Sequence, residues 1–177
     1  PVEIFLSCVL VLQLTEWPAY DGGLESISVG KGTIRTMLRL SVITTGGTIE
    51  KVYSEQTSTV ENLDNQIHRY LGRLRLPDCD VQVTPLMNKD SLEMTDADRA
   101  EILGLVKQML SDHAGVVITH GTDTMVQTGL HLKLSLPDLK VPIVLTGAMT
   151  PIGFEGSDGL QNLTESLFAV RLLDPGV

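Results

Sequence analysis

Three loops rich in threonine and glycine carry the side chains of this sequence that could do chemistry. Each follows a short apolar run, and they read Thr44-Thr45-Gly46-Gly47-Thr48-Ile49, Thr119-His120-Gly121-Thr122-Asp123-Thr124 and Thr146-Gly147-Ala148-Met149. Thr48 and Thr122 supply hydroxyls, which become nucleophiles when a base takes the proton. Asp123 supplies a fixed negative charge that could bind an ammonium group. Glycine backbones that lead into helices present amides of the kind that form an oxyanion hole, so any hydrolysis here would use oxygen nucleophiles and hydrogen bonds.

Each loop also has an ordinary structural explanation when it is taken alone. Loops of this composition are most often turns, and a threonine before a helix is most often its N-cap. His120 alone is more typical of a hydrogen-bonded structural histidine than of a catalytic base. Neither Cys8 nor Cys79 lies in a C-x-x-C pair or at metal-ligand spacing from a histidine. We therefore expect no metal site, no cofactor and two reduced thiols in a cytoplasmic protein.

Apolar and amphipathic segments alternate along the chain from Leu40 onward. Short apolar or alternating runs predict strands, and apolar residues at helical spacing predict helices. Thr95 and Asp98 form a capping-box pattern, which predicts the start of one helix. The predicted strands are Leu40–Thr44, Asp80–Pro85, Gly115–Thr119 and Pro142–Thr146, and the predicted helices are Glu61–Arg75, a segment from Thr95 to Leu110, Thr124–Leu134 and Asp158–Leu173.

This alternation predicts an α/β fold with an open, mainly parallel sheet and helices on both faces. In such sheets, ligands bind outside the carboxyl ends of the strands. The three threonine- and glycine-rich loops each follow a predicted strand. We therefore expect all three to open on the same edge of the sheet.

Length, composition and charge narrow the possible functions. The chain has 177 residues, of which 42% are hydrophobic, and this suits one globular domain. A net charge of -9 argues against binding to a nucleic-acid backbone, which needs a basic surface. The apolar run Ile4–Leu14 is shorter than the roughly twenty residues of a membrane span. Glu3, and no basic residue, precedes this run, so it does not have the pattern of a signal peptide.

The chain divides near Met37. We expect residues 37–177 to form the α/β domain and residues 1–36 to be an N-terminal extension of uncertain origin. An apolar terminal segment is ordered only when it is buried. The segment Ile4–Leu14 is therefore expected to pack on apolar surface of its own domain or of a neighbouring subunit.

The motifs Thr45–Ile49 and His120–Thr124, in this order, resemble the two signature motifs of the bacterial-type L-asparaginase family. The similarity continues through Gly147-Ala148-Met149 and through Ser157-Asp158-Gly159 with Asn162. It covers essentially the whole chain from Leu40 onward. The resemblance implies the N-terminal α/β domain of that family, and the chain resembles the family's short, single-domain members but stops earlier than is expected even for those.

The resemblance also assigns catalytic roles. Thr48 is similar to the primary nucleophile, which forms an ester with the substrate side chain. Thr122 matches the second active-site threonine, which hydrogen-bonds the reacting amide. Asp123 matches the residue that holds the substrate's α-ammonium group. Tyr53 is either the counterpart of the tyrosine in the family's mobile lid, which assists the nucleophile, or an ordinary surface aromatic residue.

Further matches concern substrate binding. Ser91 is similar to the serine that grips the α-carboxylate, and Ala148 to the residue whose carbonyl receives the amide nitrogen. Gly47 is expected to let the backbone approach the substrate. Leu92 stands where many family members have glutamine, so one polar contact would be lost. The family's catalytic lysine would lie beyond Val177, as would the second domain, and the α/β domain is therefore expected to be truncated at its C-terminal end.

The resemblance implies hydrolysis of the side-chain amide of L-asparagine to L-aspartate and ammonia through a threonine acyl intermediate. It also implies a homo-oligomer that acts on a small amino-acid amide, with no nucleic-acid or membrane partner. One alternative is a broader amidase that acts on glutamine. Another is a catalytically incompetent module of the same fold that binds a small amino acid or a protein.

Overall fold

The structure is a computed structural model, and it describes residues 37–61, 66–76 and 78–177 together with the backbone of two short N-terminal strands. The strands are β1 (Phe5–Leu6), β2 (Val9–Leu10), β3 (Leu38–Gly46), β4 (Val52–Ser54), β5 (Thr59–Glu61), β6 (Cys79–Lys89), β7 (Gly115–Thr119) and β8 (Ile143–Thr146). The helices are α1 (Ile67–Leu71), α2 (Asp96–Met109), α3 (Met125–Ser135) and α4 (Gly159–Leu172), and there are 3₁₀ turns at Thr48–Glu50 and Ser91–Glu93.

A six-stranded sheet with the order β1-β2-β8-β7-β3-β6 organises the domain. The strands β8, β7, β3 and β6 are parallel, whereas β1 and β2 pair antiparallel at the β8 edge. The predicted packing of Ile4–Leu14 concerns side chains that lie outside the described residues. The prediction of a mainly parallel α/β sheet is confirmed.

Helices cover both faces of the sheet. Alternate residues of each central strand point to opposite sides, so each strand presents apolar side chains to both faces. On one face, Val42, Val117 and Val144 pack with residues of α1 and α4 such as Ile67, Leu163 and Leu167. On the other face, Ile43, Ile118 and Leu145 pack with residues of α2 and α3 such as Ile102, Val106 and Leu132. Since both faces are buried, the central strands are continuously apolar in sequence.

The predicted elements differ from the observed ones mainly near the first helix. The four strands and the three later helices are present, with ends shifted by a few residues. The predicted helix Glu61–Arg75 is wrong in extent, because Glu61 pairs with Val52 in the β4–β5 hairpin and, among the described residues of this span, the helix covers Ile67–Leu71 alone. The β-branched residues in Val52–Ser54 and Thr59–Glu61 favour this pairing over helical spacing.

The parallel register brings one threonine from each of three strands into a row. Thr44 on β3 lies opposite Thr119 on β7, and Thr119 lies opposite Thr146 on β8. All three are buried at the carboxyl ends of their strands. The predicted loops after β7 and β8 begin at these threonines, whereas β3 continues to Gly46, which pairs with Lys89 on β6. All three loops lie at the same edge of the sheet.

Helix α2 begins with the capping box expected from the sequence. The Thr95 hydroxyl accepts a hydrogen bond from the Asp98 amide at 3.3 Å, and the Asp98 carboxylate accepts one from the Thr95 amide at 2.8 Å. Lys89 also donates to Asp98 at 2.6 Å, and with Thr95 it lowers the pKa of this carboxyl to about 2.

Among the helices of the described ranges, none has the length and apolar character needed to cross a membrane.

We expect Thr95→Ala to lower the free energy of unfolding by about 1 kcal/mol, because the Asp98 amide loses its hydroxyl acceptor and the Asp98 carboxylate loses the hydrogen bond that this hydroxyl donates at 2.6 Å. Thr95→Ser keeps the hydroxyl and should lose much less. Urea denaturation followed by circular dichroism measures both. Equal losses for the two variants would show that the methyl group, not the hydroxyl, is what matters at this position.

Candidate active site

The segment that ends β3 and continues beyond it, which we call the nucleophile loop (Gly46–Thr48), makes a sharp turn at the edge of the sheet. Gly46 and Gly47 have φ angles of 98° and 78°, which residues other than glycine rarely adopt. The Gly47 amide donates to the Lys89 carbonyl at 2.9 Å. Thr48 then starts the 3₁₀ turn and remains partly exposed. The turn therefore fixes the backbone on both sides of the candidate nucleophile.

The three loops meet through glycines that leave no room for a side chain. A Cβ atom on Gly47 would lie 2.5 Å from the Gly121 amide nitrogen, and one on Gly121 would lie 2.5 Å from Cβ of Ser91. A Cβ atom on Gly147 would lie 2.5 Å from the His120 carbonyl and 3.4 Å from Cγ2 of Thr122. These contacts bring the loops after β3, β7 and β8 and the segment after β6 into one cluster.

Ser91 and Asp123 form a polar pair inside this cluster. The Ser91 hydroxyl donates to Oδ2 of Asp123 at 2.9 Å. The Ser91 side chain is buried, whereas Asp123 is exposed to solvent. The Thr124 hydroxyl donates to the Ser91 carbonyl at 2.8 Å, so the expected N-cap of α3 instead anchors the Ser91 segment. The pair thus has one buried member and one member open to a ligand.

The loop after β8 is held from below by helix α4. The Asp158 carboxylate accepts hydrogen bonds from the amides of Met149 and Thr150 at 3.0–3.1 Å. Burial opposes ionisation of Asp158, but these amides outweigh it, and its pKa is lowered. Asn162 donates to the Gly147 carbonyl at 3.0 Å. Ala148, between these anchors, is only 1% exposed.

His120 is a structural residue in this arrangement. Its ring is fully buried, with Nδ1 2.8 Å from the Gly121 carbonyl and Nε2 2.9 Å from the Thr128 hydroxyl. Because a carbonyl can only accept, Nδ1 carries the proton and Nε2 accepts from Thr128. Burial lowers the pKa of His120, which favours the neutral ring. The geometry therefore assigns His120 to loop positioning.

Glu50 is a buried carboxyl that the sequence did not single out. It is 2% exposed, and its Oε1 accepts hydrogen bonds from the Gly46 amide at 3.1 Å and the Thr119 hydroxyl at 2.6 Å. Burial raises the pKa of Glu50 to about 7, although hydrogen bonds from Thr119, Gly46 and Thr44 oppose this rise. An acidic residue two positions after Thr48 was the available signal. Its burial was not predictable, because it depends on donors from two strands.

Two predicted features lie outside the glycine cluster. Tyr53 lies on β4, is 56% exposed, and takes part in none of the loop contacts described above. Leu92, at the position where the family often has glutamine, is 75% exposed.

Lys51 donates to Asp90 at 2.9 Å, which lowers the pKa of Asp90 and ties the 3₁₀ turn at Thr48 to the Ser91 segment.

The amides of the two loop glycines are not available for an oxyanion hole. The Gly46 amide is used by Glu50 and the Gly47 amide by Lys89. The sequence had suggested that these glycine amides face a ligand. In the structure, the glycines provide tight turns and close packing, so stabilisation of negative charge would have to come from other groups of the site.

In the described part of the chain, no group of three or more His, Cys, Asp or Glu side chains is placed to hold a metal ion. The site consists of hydroxyls, one exposed carboxylate and ordered backbone. Such a site can bind an amino acid through its charged groups and present a hydroxyl to its side chain.

We expect Gly47→Ala to lower the free energy of unfolding by more than about 2 kcal/mol, because a Cβ at this position meets backbone and the φ angle is unfavourable. Gly104→Ala is the matched control, since nothing lies within 4 Å of a Cβ there. On α2 the control should gain about 0.5–1 kcal/mol. Chemical denaturation of both variants decides the matter, and similar behaviour of the two would contradict the described contact.

Comparison with known proteins places the chain in a family. The family model "Asparaginase, N-terminal" matches residues 39–176. The L-asparaginase of Thermococcus kodakarensis is 31% identical over 140 residues, which cover 79% of this chain and 43% of that protein. Its solved structure superposes with a TM-score of 0.73 at 32% identity, over 79% of this chain and 43% of that chain.

Two further relatives agree with this match. L-asparaginase 1 of Escherichia coli is 37% identical over 131 residues, which cover 70% of this chain and 38% of that protein. The structure of a probable cytoplasmic L-asparaginase from Campylobacter jejuni has a TM-score of 0.56 at 29% identity, over 75% of this chain and 40% of that chain. The chain thus spans less than half the length of these relatives. It belongs to the asparaginase family, and residues 39–176 match the N-terminal domain of that family.

Proposed function

We propose that this chain supplies the nucleophile-bearing part of an enzyme that hydrolyses the side-chain amide of L-asparagine to L-aspartate and ammonia. The observation that carries the proposal is the packing of Gly47 against Gly121 and of Gly121 against Ser91. This packing supports a site that combines Thr48, the residue after Gly47, with a serine–carboxylate pair suited to an amino acid. The membership of the chain in the asparaginase family supports the same reaction.

The Ser91–Asp123 pair is suited to the charged end of an amino-acid substrate. In the proposed complex, the exposed Asp123 carboxylate binds the α-ammonium group. The Ser91 hydroxyl, which donates to Asp123 in the free site, then turns to donate to the α-carboxylate. Charge-assisted hydrogen bonds of this kind give both affinity and orientation.

The side-chain amide then lies between Thr48 and Thr122. The Thr48 oxygen attacks the amide carbon while its proton passes to a base. The base then gives this proton to the amide nitrogen as the carbon–nitrogen bond breaks, so that the nitrogen leaves as ammonia and the acyl group stays on Thr48 as an ester. Water attacks the resulting ester, which frees L-aspartate and restores the Thr48 hydroxyl. We assign Thr122 to hydrogen-bond the reacting amide and the Ala148 carbonyl to accept from its nitrogen.

Tyr53 is the candidate to assist proton transfer from Thr48. Only Lys51 separates the 3₁₀ turn that begins at Thr48 from strand β4, which carries Tyr53. The β4–β5 hairpin is short, and the phenol ring is exposed. In this proposal, movement of the hairpin brings the ring toward the nucleophile, as a lid does.

We also propose that the enzyme acts in the cytoplasm as a homo-oligomer. The free, buried Cys79 and the cytoplasmic relative support the location. The outer face of α3 supports association, since Val126, Leu130 and Leu134 are all exposed there at helical spacing. We propose no nucleic-acid or membrane partner, in keeping with the net charge of -9.

A broader amidase is the second candidate, and Leu92 favours it. An exposed leucine at the family's glutamine position leaves one fewer polar group to measure the length of the substrate. Under this alternative, glutamine is hydrolysed at a rate comparable to asparagine. A site rejects a wrong substrate when that substrate leaves polar groups of the site without hydrogen-bond partners, and here one such polar group is missing. A non-catalytic amino-acid-binding module is the third candidate.

Ammonia release from L-asparagine by the full-length protein tests the proposal. We expect Thr48→Ala to abolish turnover and leave L-aspartate affinity within about threefold, because only the covalent step is lost. Thr48→Ser keeps a hydroxyl and should retain partial turnover. Ammonia release that persists in Thr48→Ala would refute the nucleophile. Wild-type protein that binds L-aspartate without turnover of asparagine or glutamine would favour the non-catalytic module.

We expect Asp123→Asn to weaken L-aspartate binding by at least about thirtyfold, because the substrate ammonium group loses its ionic partner. Asp138→Asn removes the same charge at an exposed position between α3 and β8 and is the control. Isothermal titration calorimetry measures both variants. The division of roles is contradicted if Thr48→Ala weakens binding as much as Asp123→Asn does.

A further inference from the structure

Glu50 joins the ends of two strands that carry the proposed catalytic groups. Its carboxyl accepts from the Gly46 amide, in the nucleophile loop, and from the Thr119 hydroxyl, at the end of β7. Thr44, at the end of β3, donates a third hydrogen bond. The loop with Thr48 follows Gly46, and the loop with Thr122 and Asp123 follows Thr119. A single buried side chain thus ties one loop to the other.

The three donors suit an ionised carboxylate. A carboxylate only accepts hydrogen bonds, whereas a protonated carboxyl carries a hydrogen that needs an acceptor of its own. Hydrogen bonds to a charged oxygen are also about twice as strong as those to a neutral one. Protonation of Glu50 would therefore weaken the bond to the Gly46 amide and add a donor to a buried site.

We propose that Glu50 is a positioning residue for Thr48: as a carboxylate it holds the nucleophile loop against the end of β7, and gain of one proton loosens that loop. The inference rests on the proposed function for the role of Thr48 in hydrolysis. Turnover then depends on the ionisation of a group that does not touch the substrate. Substrate affinity depends on it less, because Ser91 and Asp123 supply the amino-acid contacts.

The surroundings of Glu50 let this proton exchange take place near neutral pH. Burial raises its pKa to about 7 against the three hydrogen bonds. The titratable groups on neighbouring elements have hydrogen-bond or ion-pair partners other than Glu50. Lys51 pairs with Asp90, Lys89 pairs with Asp98, and the His120 ring lies between Gly121 and Thr128. Because the pKa of Glu50 is higher in the folded protein than in the unfolded chain, the folded state favours the protonated acid. The free energy of unfolding therefore falls as pH rises from about 4.5 to about 7.

Nuclear magnetic resonance on the full chain tests the coupling without any need for activity. The experiment follows the side-chain carboxyl carbons of ¹³C-labelled glutamate and the ¹⁵N amide of Gly46 between about pH 5 and pH 9. Glu50→Gln identifies the Glu50 signal by its loss. We expect Glu50 and Gly46 to titrate with one shared midpoint near 7. A Glu50 midpoint below about pH 5.5, or a Gly46 amide that does not follow Glu50, would overturn the proposal.

Variants of Thr119 provide the matched control. Thr119→Val removes the hydroxyl that favours the carboxylate, so both midpoints should move upward by about half a unit or more. Thr119→Ser keeps the hydroxyl and should restore the wild-type midpoint. A shift that is equal in the two variants would indicate altered packing in place of the hydrogen bond, and would count against the proposal.

Steady-state kinetics then separate this inference from the proposed function. We expect kcat for asparagine hydrolysis to fall below about pH 7 in the wild type, with KM nearly constant, and this acid limb to be absent in Glu50→Gln. Hydrolysis with the same acid limb in both proteins would overturn the positioning role and leave the proposed function standing. Shared titration of Glu50 and Gly46 without hydrolysis at any pH would support the coupling and defeat the proposed function.

Discussion

Backbone-to-backbone contact between Gly47 and Gly121 is the constraint on which the rest of the site depends. The nitrogen of Gly121 lies 2.5 Å from the position that a Cβ of residue 47 would take, and Cβ of Ser91 lies 2.5 Å from the position that a Cβ of residue 121 would take. Each contact excludes any side chain larger than hydrogen. The loops after β3 and β7 can therefore approach closely enough for groups on both of them to touch one small ligand.

The sheet makes this contact possible before any loop residue contributes. Parallel register places Thr44, Thr119 and Thr146 side by side, so the carboxyl ends of three strands meet at one edge of the sheet. Glu50 then connects Gly46 to Thr119 beneath the loops, and the loop after β8 is anchored by Asn162 of helix α4 and by Asp158, the residue before this helix. A rigid layer of buried polar groups therefore supports a surface layer of hydroxyls, which is the arrangement that a precise binding site requires.

The parts of the fold that follow from local physics were predictable from sequence. Continuous apolar runs such as Gly115–Thr119 predicted buried parallel strands, and the pattern of Thr95 and Asp98 predicted the start of α2, because both signals act over a few residues. The helix expected over Glu61–Arg75 failed because strand pairing with Val52–Ser54 outweighed helical spacing at Glu61. Such pairing depends on a distant segment and leaves little trace in local periodicity.

The site shows the same division. The loops that carry Thr48, Thr122 and Asp123 were recognisable, since parallel strands must deliver them to one edge. The burial of Glu50 and the use of the Gly46 and Gly47 amides inside the protein were not, because Glu50 accepts from both β3 and β7 and the Gly47 amide donates to Lys89 at the end of β6.

A structure of the full-length protein in complex with L-aspartate tests the central claim most directly. If the loops form one site, the ligand's ammonium group will contact Asp123 and its side-chain carboxylate will lie within hydrogen-bonding distance of both the Thr48 and Thr122 hydroxyls. L-aspartate bound away from this cluster would contradict the account. So would a complex in which the Thr48 and Thr122 hydroxyls lie more than about 10 Å apart, since one amide group must reach both.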